Sequence, residues 1–94
     1  MINHELAKIF FEIGDILAEQ GVAFKPQVYQ QAAIALDELE KDVIDVYKEN
    51  GTKSLMDLPC IGDSIAAKIE EYILTGKIKY YEELKKDFNK KNES

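Results

Sequence analysis

The segment spanning residues 55–69 contains a tight turn that ends at Gly62 and a lysine six positions later. Turns and lysines of this kind bind or react with ligands. Its pattern predicts a short helix, the turn, and a second helix whose first backbone amides lack a partner within the helix. Such amides, together with the partial positive charge of a helix N-terminus, attract phosphate groups. We therefore predict that four backbone amides form a phosphate-binding site, the phosphate seat. The alternative is a turn between two helices that serves only the packing of the fold. The four amides are those of Ile61, Gly62, Asp63 and Ser64.

Lys68 lies at the edge of the apolar face of the second helix, flanked by Ile65 and Tyr72 on a helical wheel. Partial burial at such an edge lowers the pKa of a lysine and frees its amine to attack an aldehyde. The alternative is a lysine whose stem covers the core while its ammonium group stays in water.

Composition excludes several kinds of site. Cys60 is the only cysteine and His4 the only histidine, so a zinc site built on several such ligands is excluded, whereas a hard-cation site of oxygen ligands is not. The net charge of −6 lies entirely in residues 1–50, which hold 10 acids and 4 lysines; residues 51–94 hold 8 of each. With no arginine in the chain, we expect any DNA binding to be weak and sensitive to salt.

The length of 94 residues and the 46% apolar content fit one small globular domain. No apolar run approaches the roughly 20 residues that cross a bilayer, and the N-terminus lacks the features of a signal peptide. We expect a cytoplasmic protein, a monomer with no membrane partner.

Apolar spacings of three and four predict helices throughout, and no segment alternates as a strand does. We expect an all-α, compact bundle of five or six short helices over residues 1–88, followed by a polar, flexible tail over residues 89–94. Asn3 is predicted to cap the first helix, which Gly21 ends and whose apolar face comprises Leu6, Ile9, Phe10, Ile13 and Leu17. Lys25-Pro26 begins a second helix, whose predicted buried face comprises Tyr29, Ala32, Ala33 and Leu36. Leu39, Val43, Val46 and Tyr47 share a face of a third.

Local start and stop signals in the sequence predict the remaining helices. Asn50-Gly51 is a stop signal, and Ser54 with Asp57 resembles a capping box for a very short helix ending at Leu58. The helix after the turn is expected to bury Ile65, Ala66, Ile69, Tyr72 and Ile73 and to end at Thr75-Gly76. A last short helix follows.

The ordered set of motifs resembles the N-terminal domain of family X DNA polymerases from about Asn3 to Leu84. Four stretches carry the resemblance: the first amphipathic helix, the Phe24-Lys25…Tyr29-Gln-Gln-Ala-Ala helix, the Leu-Pro-Cys-Ile-Gly hairpin at residues 58–62, and residues 66–77. The resemblance implies binding to the 5′ side of a DNA gap. In some members it also implies a lyase that removes 5′-deoxyribose phosphate through a lysine Schiff base.

The resemblance also implies roles for the positions that match the family's motifs. The nucleophilic lysine matches Lys68, and its helpers match Lys25 and Tyr29. The carbonyls that bind a monovalent cation, Na⁺ or K⁺, match Met56, Leu58 and Ile61; no other cofactor is implied. The chain departs from the pattern where Cys60 replaces the first hairpin glycine. Basic positions of the family are occupied by Ser64, Gln30, Gln31 and Tyr80, and Asp63 places a negative charge beside the phosphate seat.

Three functions follow as hypotheses. The leading one is DNA binding without sequence specificity, to gapped or 5′-ended duplex, through the hairpin amides and the side chains of Lys25, Lys68 and Lys77. The second is a 5′-deoxyribose-phosphate lyase with Lys68 as nucleophile. The third is a protein-interaction module that has kept the fold without DNA binding. These 94 residues are too few to include a polymerase domain with its active site, although a downstream polymerase domain is compatible with the resemblance.

Overall fold

Six helices follow one another in a computed structural model that describes residues 1–92. They are α1 (Asn3–Glu19), α2 (Lys25–Glu38), α3 (Val43–Asn50), α4 (Thr52–Met56), α5 (Asp63–Thr75) and α6 (Lys79–Asn92). No strand occurs in this part of the chain. The all-α bundle expected from the apolar periodicity is confirmed. None of these helices is long and apolar enough to cross a bilayer.

The helix pair α1 and α2 forms the main packing layer. The apolar face of α1 contributes Leu6, Phe10 and Ile13, all fully buried. A β-carbon at Gly14 would stand 3.0 Å from the carbonyl oxygen of Pro26, so a larger residue would push the start of α2 back by a few tenths of an ångström. The predicted buried face of α2 is confirmed and comprises Tyr29, Ala32, Ala33 and Leu36.

Helix ends agree with several of the local signals. Gly21, Gly51 and Gly76 follow α1, α3 and α5 with φ values of +76°, +64° and +82°, which glycine adopts without steric cost. Helix α2 begins at Lys25, with Pro26 at a tolerated early position.

The prediction that Asn3 caps α1 is wrong. Ile2 precedes α1 without a capping side chain. The side chain of Asn3 is buried instead against the connection between α2 and α3: its Oδ1 accepts from the amide of Val43 at 2.8 Å, and its Nδ2 donates to the carbonyl of Lys41 at 2.8 Å. Asn3 therefore ties the start of α1 to the start of α3, a long-range role that local sequence does not reveal. Leu39, expected on the face of α3, lies in this connection.

The prediction of a capping box at Ser54 and Asp57 is also wrong. Helix α4 begins at Thr52 because the positive φ of Gly51 turns the chain at once, so Ser54 lies inside the helix and is buried. The helix ends at Met56, and Asp57 follows as its C-cap. The expected polar tail starts within α6, which continues through Asn92; positions 93 and 94 lie outside the described residues.

Candidate nucleic-acid interface

The turn between α4 and α5 is anchored from below by apolar side chains. Leu55 and Ile61, at 0% and 4% exposure, hold its two ends in the core. The amide of Leu58 donates to the carbonyl of Leu55 at 3.0 Å, and the amide of Ile61 donates to the carbonyl of Leu58 at 3.3 Å. Two successive tight turns therefore raise residues 59 and 60 above the surface and direct the chain into α5.

Cys60 sits in this turn with a φ of +65°, in the left-handed region that favours glycine. A side chain at this φ carries a steric cost of about 1–2 kcal/mol. The thiol side chain is exposed and lines a cleft against α2, together with Gln31 and Ile34. This cleft is separate from the one that contains Lys68, so the cysteine side chain does not enter the lysine cleft.

Of the four amides predicted to hold phosphate, two have protein partners. The amide of Ile61 donates to Leu58, and that of Ser64 donates to the Asp63 carboxylate at 2.9 Å. The amides of Gly62 and Asp63 have no hydrogen-bond partner within residues 1–92. Gly62 is exposed, and a β-carbon there would meet nothing within 4 Å, so an anion can approach both amides from solvent.

Beside the turn lies a cleft of about 270 Å³ between the starts of α2, α5 and α6. Two cations, the side chains of Lys25 and Lys68, line it with the hydroxyl-bearing Ser64. The rings of Tyr29 and Tyr80 form its apolar wall. The tertiary structure thus brings together residues 25, 29, 64 and 68 from two helices that are far apart in sequence.

The amine of Lys68 is held by three neighbours. It donates to the Ser64 hydroxyl at 3.1 Å and lies 5.0 Å from the ring centre of Tyr80 and 5.8 Å from that of Tyr29. Burial lowers the pKa of Lys68; Glu71 opposes this shift and the positive charge of Lys25 adds to it. A half-buried amine with a lowered pKa holds the free base at a lower pH than a surface lysine does.

Tyr29 is buried, with its ring stacked on Tyr80 at a centroid distance of 6.2 Å. Burial, with a contribution from Tyr80, raises the pKa of Tyr29 to about 12. The phenol therefore keeps its proton at neutral pH, where it can donate a hydrogen bond but cannot act as a base.

Together, a Pro-containing turn, a free N-terminal amide pair and a short helix before a longer one form a helix-hairpin-helix arrangement. A family model described as "Helix-hairpin-helix domain" matches residues 1–78. The chain belongs to the helix-hairpin-helix domain family. Among curated proteins, none matches the chain.

Not every predicted residue of this helix-hairpin-helix domain shares the cleft. Lys77 lies with Lys79 in a different depression, where Glu71 and Glu82 partly balance the two positive charges. Lys77 is exposed and follows the end of α5, so it is placed to contact a ligand that extends past the hairpin, not one confined to the cleft.

The carbonyls predicted to bind a monovalent cation are those of Met56, Leu58 and Ile61. They lie in and beside the turn, and the Leu58 oxygen already accepts from the Ile61 amide, which leaves its second lone pair. Main-chain oxygens are the ligand type that such hard cations prefer. Within residues 1–92 no cluster of His, Cys, Asp and Glu side chains could hold a metal ion.

Sequence reasoning missed Phe24 as a surface feature of the domain. Its side chain is 83% exposed, immediately before the cleft residue Lys25. Its φ is +70° and ψ −44°, and the amide of Lys25 donates to the carbonyl of Ala23 at 2.8 Å, which makes a strained γ-turn. A large aromatic side chain held at such a backbone conformation in full solvent is a candidate stacking surface. Its only sequence signal is its place just outside a helix, before Lys-Pro.

Proposed function

We propose that this helix-hairpin-helix domain binds the sugar-phosphate backbone of DNA without reading its sequence. One phosphate oxygen accepts from the free amides of Gly62 and Asp63, and the ammonium groups of Lys25 and Lys68 contact that phosphate or its neighbour. The observation that carries the proposal is the pair of unpartnered, solvent-facing amides at the N-terminus of α5, beside a cleft with two lysines.

Affinity is expected to be modest. The chain carries a net charge of −6 and the carboxylate of Asp63 adjoins the seat, so few phosphates are neutralised on binding. Each neutralised phosphate adds about 0.9 to the slope of log K against log salt concentration. A footprint of two to three contacts gives a slope of roughly −2 to −3.

Fluorescence anisotropy with a gapped duplex at two salt concentrations tests the proposal. The double variant Lys25→Ala/Lys68→Ala should weaken binding about tenfold or more and reduce the salt slope by about 1 to 2. The matched control is Lys48→Ala/Lys53→Ala, which removes two exposed lysines away from the cleft. Equal weakening by both pairs, or binding that salt does not change, would overturn the proposal.

A second candidate is a 5′-deoxyribose-phosphate lyase, favoured by the half-buried, pKa-lowered amine of Lys68. The amine adds to the C1′ aldehyde and loses water to form a Schiff base. Loss of a C2′ proton then expels the phosphate at C3′, and water releases the sugar fragment and regenerates the lysine. Tyr29 can only donate a hydrogen bond here, because its pKa lies far above neutral pH.

Borohydride reduction tests this second candidate by trapping the Schiff base on a 5′-abasic end. The parent protein and Lys53→Ala should trap DNA, and Lys68→Ala should not. Equal trapping by Lys68→Ala assigns the chemistry elsewhere.

We infer from the family X resemblance that gapped or 5′-ended duplex is the preferred DNA and that a repair polymerase is the setting of this domain. A monovalent cation, Na⁺ or K⁺, on the carbonyls of Met56, Leu58 and Ile61 would neutralise a further phosphate. Replacing K⁺ by tetramethylammonium at equal ionic strength should then weaken DNA binding, and unchanged affinity would remove the cation from the proposal.

A further inference from the structure

A groove of about 560 Å³ runs between the C-terminal halves of α1 and α6 and shares no residue with the lysine cleft. Its floor is apolar, formed by Ile16, Ala18 and Phe88. A groove between two helices suits an elongated ligand such as a helix.

The wall that α1 contributes is acidic. Glu12, Asp15 and Glu19 line it, at spacings of three and four that place them on one side of the helix. The Glu12 carboxylate accepts from the Tyr81 hydroxyl, whereas Asp15 and Glu19 have no ion-pair or hydrogen-bond partner among residues 1–90, whose side chains the structure describes.

The one lysine on the opposite wall does not balance these charges. The amine of Lys85 pairs with Glu82 at 3.1 Å and lies 4.5 Å from the centre of the Tyr81 ring. Its ion pair is therefore with a residue of its own helix, and Asp15 and Glu19 line the groove without a paired cation among residues 1–90.

Two of the carboxylates are also unfavourable for the helix that carries them. Glu19 is the last residue of α1, where the helix dipole repels negative charge, and no basic residue lies in that turn. Asp15 stands one turn earlier, so the two like charges repel each other. A cationic ligand in this open apolar groove would offset the repulsion that Asp15 and Glu19 impose on their own helix.

We propose that this groove docks a basic, amphipathic helix of a partner protein. Apolar side chains of the partner cover Ile16 and Phe88, and its lysines or arginines pair with Asp15 and Glu19. DNA is excluded as the occupant because its phosphates would meet the acidic wall. Since the groove and the lysine cleft have no residue in common, DNA and the partner can bind together.

The test uses the whole chain and a synthetic peptide of two Leu-Lys-Lys-Leu-Leu-Lys-Leu heptads, with binding measured by fluorescence anisotropy. The variant Asp15→Lys/Glu19→Lys should lose about tenfold in affinity. The control Glu38→Lys/Glu40→Lys changes the net charge equally on exposed residues outside the groove and should bind nearly as the parent does. A scrambled peptide of the same composition separates apolar docking from simple charge attraction.

Thermal melting shows that the groove variant is folded, because removing two unfavourable acids should leave its Tm at or above that of the parent. Loss of peptide binding in a variant of undiminished stability supports the docking site. Equal loss in the control variant, equal binding of the scrambled peptide, or no binding by the parent overturns it. None of these outcomes depends on whether the domain binds DNA.

Discussion

Replacing Asp63 by asparagine should tighten DNA binding about two- to fivefold. The Asp63 carboxylate accepts from the Ser64 amide at 2.9 Å, next to the two free amides of the proposed seat. A phosphate on those amides would lie roughly 5 Å from this carboxylate, where repulsion is about 0.8–1.7 kcal/mol at an effective dielectric constant of 40–80. Screening by 0.1 M salt reduces it to about 0.5–1 kcal/mol.

Asparagine is the suitable replacement because its side-chain oxygen still accepts from the Ser64 amide and only the charge is removed. The lost attraction between the carboxylate and the α5 dipole should lower the free energy of unfolding by about 0.3–1 kcal/mol. The variant is thus expected to bind better while being slightly less stable, which separates the two effects.

The assay is anisotropy with a gapped duplex at low salt, beside the control Glu40→Gln. This control removes one exposed negative charge away from the hairpin. If Asp63→Asn binds DNA no more tightly than Glu40→Gln, the phosphate does not sit at the start of α5 and our reasoning about the seat is refuted.

Three further predictions concern stability. Asn3→Ala should cost about 2–3 kcal/mol by chemical denaturation, because it leaves buried backbone groups unpaired; a cost below about 0.5 kcal/mol would contradict this role. Cys60→Gly should stabilise the fold by about 0.5–1 kcal/mol, the relief of a positive φ less the entropy of glycine, and any destabilisation would contradict it. Tyr29 has a folded pKa of about 12, above its ordinary value, so its contribution is present below pH 10 and disappears as the pH rises toward 12. After a discount for water in the cleft, this loss is about 1–2 kcal/mol, and Tyr29→Phe should remove that part of the alkaline decline in unfolding free energy.

Most of the helical architecture could be predicted because its signals are local. Apolar spacing identified the buried faces of α1, α2 and α5, and glycines at helix ends placed several boundaries within a residue or two. The failures at Asn3 and Ser54 have different causes. Both residues are good helix caps, but Asn3 is held by hydrogen bonds to the α2–α3 connection, and Ser54 lies inside a helix that already begins after Gly51.

The candidate site was predictable in its residue types and only partly in its grouping. Lys25, Tyr29, Ser64 and Lys68 do share one cleft, whereas Lys77 lies in another. Spacing along one helix relates Ser64 to Lys68, but the approach of α2 to α5 depends on how both helices pack in the bundle, which no spacing encodes.

The sequence by itself determined the all-α class, the helix faces and the turn at residues 59–62, because helical periodicity and the conformations of proline and glycine act over a few neighbouring residues. Only the tertiary structure decided which amides stay free, which cleft receives Cys60 and which carboxylates face a groove. Those outcomes depend on hydrogen bonds, burial and helix contacts between residues that only the folded chain brings together.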